Sequence, residues 1–154
     1  RRIVIAASED IGMADSNALR VAVSAHQAVE LLGMPEARIP LAHATVYLAT
    51  APKSNRAYAG INAAMKDVQE GRTLAVPPHL RTKSRKKLGV EGGAIDAADT
   101  AYKYGHEYES GYVPQAYLPE GRRYYEPSEN GLELRVKERL EYWRQQFEAE
   151  NAKL

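Results

Sequence analysis

The chain has 154 residues, 21 basic and 20 acidic side chains, a formal charge of +1 and no cysteine. That length suits one ordinary domain burying most of its apolar surface unaided, and the missing thiols exclude disulfides, thiolate zinc sites and a cysteine nucleophile. A cysteine-free chain fits a reducing compartment, and the balanced charge leaves attraction to nucleic acid to local clusters.

No run of about 18 apolar residues is present, and "RRIVIAASED" turns acidic too early for a signal peptide, so the expected location is the cytoplasm, without a membrane partner. Because Arg1 opens the chain inside an apolar segment, the sequence reads as a piece of something longer.

In residues 2–7 the "IVI" run favours a strand by propensity, but its brevity and alanine-rich continuation suit the end of a helix, which is the reading adopted. Residues 16–32 align Val21, Ala25, Ala28 and Leu32 on one helical face, with Asp15 or Ser16 as cap and Gly33 just past the end. A helix over residues 40–50 aligns Leu41, Ala44, Leu48 and Ala51; Pro40 fits its first turn and Pro52 stops it. A third, over residues 54–70, aligns Tyr58, Ile61, Met65 and Val68 before Gly71. Its small residues Ala57, Ala59, Gly60, Ala63 and Ala64 predict close helix packing.

Beyond Gly71 the segments "VPPHL", "GVEGG" and "YGHEYESGYVPQAYLPEG" are dense in glycine, proline and tyrosine and read as loops. Eight of the ten tyrosines fall between Tyr102 and Tyr142, which argues for a docked loop over a disordered linker. Residues 129–150 align Leu132, Val136, Leu140, Trp143 and Phe147, with Ser128 as cap, Glu129 at the positive helix end and Glu133–Lys137 as an i,i+4 pair. The expected division is a helical core at 1–71, a loop-rich docked stretch at 72–127 and a C-terminal helix at 128–154.

No Gly-Lys pair exists, so the chain cannot supply a Walker A phosphate loop. His26, His43, His79 and His106 form no metal-ligand pattern; His26 can pair with Glu30 and His43 with Tyr47 along helix surfaces. Glu9, Asp10 and Asp15 are explained by an acidic turn leading into a helix, and Ser110 lacks a base nearby in sequence. No catalytic, cofactor or metal residue is therefore assigned. The basic run "HLRTKSRKKLG" places Arg81, Lys83, Arg85, Lys86 and Lys87 where they are candidates for DNA phosphate, against the alternative of a solvated loop. Arg122 and Arg123 in "GRRYYEP" are further candidates, with tyrosines that either stack on bases or pack the loop.

The segments "RRIVIAASEDIGMADSNAL", "AVELLGMPEARIPLAHATVYLATAPKSNRAYAGINAAMKDV", "VPPHLR", "GYVPQAYLPEGRRYYEPSENG" and "RVKERL" resemble the C-terminal part of the replication-associated recombination protein A family, also called MgsA. These are bacterial AAA+ ATPases related to clamp loaders and to the Werner-helicase-interacting protein. The resemblance spans nearly the whole chain and departs mainly at residues 82–100. It implies an all-α, multi-helical oligomerisation domain similar to the clamp-loader collar, following the ATPase and lid domains and holding subunits as a homotetramer. It also implies that ATP, Mg, DNA and single-stranded-DNA-binding protein are the parent protein's cofactors and partners. No Walker, sensor or arginine-finger residue has a counterpart here.

Two roles follow as expectations: an oligomerisation module, and, as the alternative, a DNA-binding arm built on the basic loop. At "PKSN" a tight connection between helices is expected, capped by Ser54 or Asn55, with Lys53, Ser54 and Asn55 as a candidate anion contact.

Overall fold

A computed structural model describes residues 1–80, 103–108, 111–118 and 121–151. Among these residues all regular structure is helical, as the sequence predicts. The helices are α1 (Arg2–Ala6), α2 (Asn17–Leu32), α3 (Arg38–Thr50), α4 (Arg56–Gln69) and α5 (Glu133–Asn151). A π-helical turn, Ala7–Ile11, and a 3-10 turn, Gly12–Ala14, join α1 to α2, and 3-10 turns also form at Pro78–Leu80 and Gly105–Glu107. The chain divides into two compact units, Arg1–Glu70 with Arg123–Leu140, and Gly71–Arg122 with Glu141–Leu154.

The first unit is built around α2 and α3, which pack on each other across a short connection and receive α1 and the π-turn on one side. Ala7, Ile11, Ala18, Ala22 and Leu48 form its core, flanked by Ile3, Val4, Ala6, Tyr47 and Ala51. Such small side chains let helix axes approach toward the near end of the usual range of about 8–10 Å. Each buried methyl contributes only about 0.8 kcal/mol, so a core of alanines depends on closeness and on polar ties between segments.

The ends of α2 and α3 follow the expected chemistry, whereas α5 starts at Glu133 and not at the expected Glu129, because Ser128 gives both its N–H and its hydroxyl to the Glu133 carboxylate instead of capping a helix there. The Asp15 carboxylate accepts the Asn17 N–H at 3.0 Å, and Gly33 closes α2 at φ 67°. Pro40 lies in the first turn of α3 and Ala51, held extended ahead of Pro52, ends it.

Four expectations are corrected. In α2 the buried face is Ala18, Ala22 and Ala25, turned roughly 60° from the predicted stripe at 3.6 residues per turn, and Leu32 is half exposed. The alanine face lies inward because only it admits α1 and α3 so closely. In α4 the stripe Tyr58, Ile61, Met65 and Val68 is 47, 58, 50 and 59 % exposed, and the buried residue is Gly60. What packs closely there is not a helix but the extended backbone at Tyr124, near enough that a Cβ on Gly60 would sit 2.8 Å from its carbonyl oxygen. His43 is not the partner of Tyr47, whose hydroxyl instead donates to Asp15 Oδ2 at 2.7 Å and accepts from Asn17 Nδ2 at 3.1 Å. Finally, Lys137 pairs with Glu129 at 2.6 Å and not with Glu133, which faces inward. The predicted His26–Glu30 pair does form, at 3.5 Å.

In the second unit Val113 is buried, and the Tyr112 ring stacks on Trp143 of α5 with centroids 5.1 Å apart and planes 4° from parallel.

Candidate interaction site around the α3–α4 corner

Three segments distant in sequence meet where α3 turns into α4. The end of the π-turn contributes Asp10 to Ala14, the corner contributes Lys53 to Arg56, and the entry to α5 contributes Ser128 to Glu133. Backbone bonds tie them: the Ser54 N–H donates to the Asp10 carbonyl and the Leu132 N–H to the Ala14 carbonyl, each at 2.8 Å. The Asn130 side-chain amide donates to the Lys53 carbonyl at 2.8 Å. The approach is so close that a Cβ on Gly131, at φ 53°, would collide with the Ala14 carbonyl oxygen, so both its conformation and its bareness are required.

At the centre lies Glu133, fully buried at 0 % exposure. Its Oε1 accepts from the Tyr125 hydroxyl at 2.8 Å. Its Oε2 accepts from the Ser54 hydroxyl at 2.6 Å, the Ser128 N–H at 2.9 Å and the Ser128 hydroxyl. Burial raises this carboxyl's pKa, but the bonds from Ser128, Ser54 and Tyr125 outweigh it, and the group sits below the ordinary carboxylate range. Tyr125 is driven the other way, well above the usual phenol value, by burial, by its bond to Glu133 and by that negative charge. Both Glu133 oxygens are engaged and the side chain has no exposed surface, and the two serines donate to a carboxylate with no imidazole between. The arrangement is a structural clasp that ties the α3–α4 corner to the entry of α5.

The extended segment ahead of α5 is held by a second tie, in which the Tyr124 hydroxyl donates to Asp67 Oδ2 of α4 at 3.0 Å. Both tyrosines of "RRYY" thus direct their hydroxyls to carboxylates of the first unit, as the packing reading of this loop expects. Arg123 is exposed beside them and Arg122 is half-buried. The cluster Arg81, Lys83, Arg85, Lys86 and Lys87 lies outside the described residues.

At the candidate anion contact of Lys53, Ser54 and Asn55, the first two side chains bond within the chain. Lys53 directs its ammonium back onto the last carbonyls of α3, donating to Leu48 at 2.7 Å, Ala49 at 3.3 Å and Ala51. A cation at a helix C-terminus satisfies unpaired carbonyls and opposes the negative end of the dipole. Ser54 is spent on Glu133, and its oxygen also accepts the Arg56 N–H at 3.3 Å; Asn55 makes no side-chain capping bond. The corner borders an open groove of about 540 Å³ lined by Asp10, Lys53, Asn55, Arg56 and Asn130, in which an acidic and two basic side chains mix. Among the described residues no group of three potential metal ligands gathers, and no helix is long and apolar enough to cross a membrane.

The signal for Glu133 was visible only in part. Ser128 followed by an acid within the next turn is a capping pattern, but the spacing that points to Glu129 or to a Lys137 pair conceals the residue that the other segments converge on.

The described residues thus form an all-helical unit whose remote segments are clasped by one carboxylate, with an apolar helix face left outside. The chain belongs to the family described as the MgsA AAA+ ATPase C-terminal domain, whose profile matches residues 1–144. It is 43 % identical over 148 residues to replication-associated recombination protein A of Coxiella burnetii, covering 94 % of this chain and 32 % of that protein. It is 37 % identical to the protein of the same name from Escherichia coli K12, covering 95 % of this chain and 32 % of the relative. Against the ATPase WRNIP1 of Dictyostelium discoideum it is 39 % identical, covering 78 % of this chain and 13 % of that protein. The chain therefore spans about a third of the length of its bacterial curated relatives.

Proposed function

We propose that this chain is the oligomerisation and positioning module of a DNA-dependent AAA+ ATPase that acts in replication, recombination and repair at stalled forks in the bacterial cytoplasm. On this reading the polypeptide carrying the ATP and Mg site is separate from these residues, and the module holds several such engines, four in the family's pattern, in a fixed arrangement. Single-stranded-DNA-binding protein and DNA are partners of the whole assembly.

The observation that carries the reading is the outward α4 stripe of Tyr58, Ile61, Met65 and Val68 on a helix whose inward face is already covered. Four large apolar side chains in one row exceed the scattered exposure normal for a monomer surface. Multi-angle light scattering of the purified chain, from about one to one hundred micromolar as the range usual for modest interfaces, tests it. The expected result is a mass above that of one chain, rising with concentration; one chain throughout rejects the module as an assembler.

A further inference from the structure

We propose that Asn130–Gly131 is a modification site, at which spontaneous deamidation of Asn130 turns its side chain into a carboxylate and irreversibly releases the joint between the α3–α4 corner and the entry to α5.

Four observations point there. First, of Asn17, Asn55, Asn62, Asn130 and Asn151 only Asn130 precedes a glycine; the others precede alanine or arginine. Ring closure of a side-chain amide onto the next backbone nitrogen is hindered by a Cβ on that next residue, and glycine has none. Second, the nitrogen that must attack is not otherwise engaged. Among the described residues the Gly131 N–H has no acceptor, whereas its neighbours Asn130 and Leu132 donate to Ser128 Oγ and to the Ala14 carbonyl. Third, Asn130 is exposed and borders the open groove of about 540 Å³, so water and solvent base reach it. Its side chain is restrained by one bond, from Nδ2 to the Lys53 carbonyl at 2.8 Å.

The step uses only the chain and water. The Gly131 N–H gives its proton to solvent base, and the nitrogen attacks the side-chain carbonyl carbon of Asn130. A five-membered succinimide closes as the bond from that carbon to Nδ2 breaks, and Nδ2 takes up a proton and leaves as ammonia. Water then adds to one of the two ring carbonyls and cleaves its bond to the ring nitrogen, which leaves aspartate or isoaspartate. An amide and water become a carboxylic acid and ammonia, with no change of oxidation state.

Fourth, the surroundings accommodate neither product. A carboxylate cannot donate to the Lys53 carbonyl and sets acceptor against acceptor, while Asp10 in the same groove adds a like charge. The Lys53 ammonium is turned onto α3; Arg56 offsets part of the new charge but does not replace the lost donor. Isoaspartate also lengthens the backbone by a methylene where Gly131 lies too close to the Ala14 carbonyl to admit a Cβ. The bonds from Leu132 to Ala14 and from Glu133 to Asn130 straddle that link.

Ageing the purified chain in mildly alkaline buffer made with oxygen-labelled water, followed by peptide mapping that separates the isomers, tests the site. Residue 130 is expected to convert, heavier by about 1 Da before the label is counted, and to carry one labelled oxygen. Asn55, exposed in the same groove but followed by Arg56, is expected to stay intact, as is the side chain in Asn130→Gln, whose extra methylene disfavours ring closure. In the converted chain, separated by its added negative charge, amide exchange at Leu132 is expected to be at least about tenfold faster than in the fresh chain. A synthetic peptide of residues 127–134 aged alongside gives the unrestrained rate. An intact Asn130 in the folded chain while the peptide converts overturns the site; conversion with Leu132 exchange unchanged overturns the release of the joint.

Discussion

The hydroxyl of Ser54 and the carboxylate of Glu133, 79 positions apart, meet at 2.6 Å in the interior of the first unit. This bond joins the α3–α4 corner to the start of α5, and it exists because Tyr125 and Ser128 complete the coordination of the same carboxylate. Hydrogen bonds to a buried charge contribute about 1.5–3 kcal/mol, more than any one alanine contact in the adjoining core.

Replacing Glu133 by Gln keeps the volume but turns one acceptor oxygen into a donor facing other donors. Glu133→Gln is therefore expected to lower unfolding stability by about 2–3 kcal/mol, read by urea denaturation. Ser54→Ala should cost less, about 1 kcal/mol, because three donors to the carboxylate remain. A change within error for Glu133→Gln would mean that the clasp adds nothing to the fold.

The same group governs the acid limb of stability. A carboxyl with a folded-state pKa below its unfolded value stabilises fully above the unfolded value of about 4.5, and that contribution disappears as pH falls through the folded value. Wild type should therefore lose stability below pH 4.5 more steeply than Glu133→Gln. For Tyr125 the sign reverses: its folded pKa is raised, so its contribution is complete below about pH 10 and is lost as pH climbs toward the folded value. Tyr125→Phe should flatten the alkaline limb, measured by thermal melts across pH 8 to 11 around the ordinary phenol pKa of about 10.

At Gly60 two effects compete. Alanine gains about 1 kcal/mol of helix propensity, but its Cβ would lie 2.8 Å from the Tyr124 carbonyl oxygen, which is backbone and cannot swing aside. Overpacking costs about 1–3 kcal/mol, so Gly60→Ala should be neutral to destabilising by about 2 kcal/mol, and any net gain would show that the segment over α4 is not held there. Gly131→Ala carries both a positive φ and a collision with the Ala14 carbonyl oxygen and should be worse.

Lys53→Ala removes the ammonium from the α3 carbonyls and should cost about 0.5–1 kcal/mol in chemical denaturation. Because that ammonium is directed at the chain's own backbone, anisotropy titrations with single-stranded DNA should show affinity changed by less than twofold. A tenfold loss would restore Lys53 as a phosphate contact.

Periodicity, prolines and glycines located α2 and the end of α3, because those termini are set by local chemistry: Pro52 cannot continue α3 and Gly33 takes a positive φ wherever the chain goes afterwards, whereas the start of α5 at Glu133 depends on a remote carboxylate contact. The helical class and the corner at Pro52–Asn55 were legible for that reason. Which face of each helix turns inward was not a local property. In α2 close packing selected the alanine line over the larger side chains, and in α4 the arrival of Tyr124 across Gly60 left Tyr58, Ile61, Met65 and Val68 outside. Glu133 likewise read as one more helix-surface acid, since nothing within its own turn distinguishes it from Glu138 or Glu141. Only the convergence of Ser54, Tyr125 and Ser128, which no periodic pattern encodes, made it the buried charge that fastens the α3–α4 corner to the stretch leading into α5.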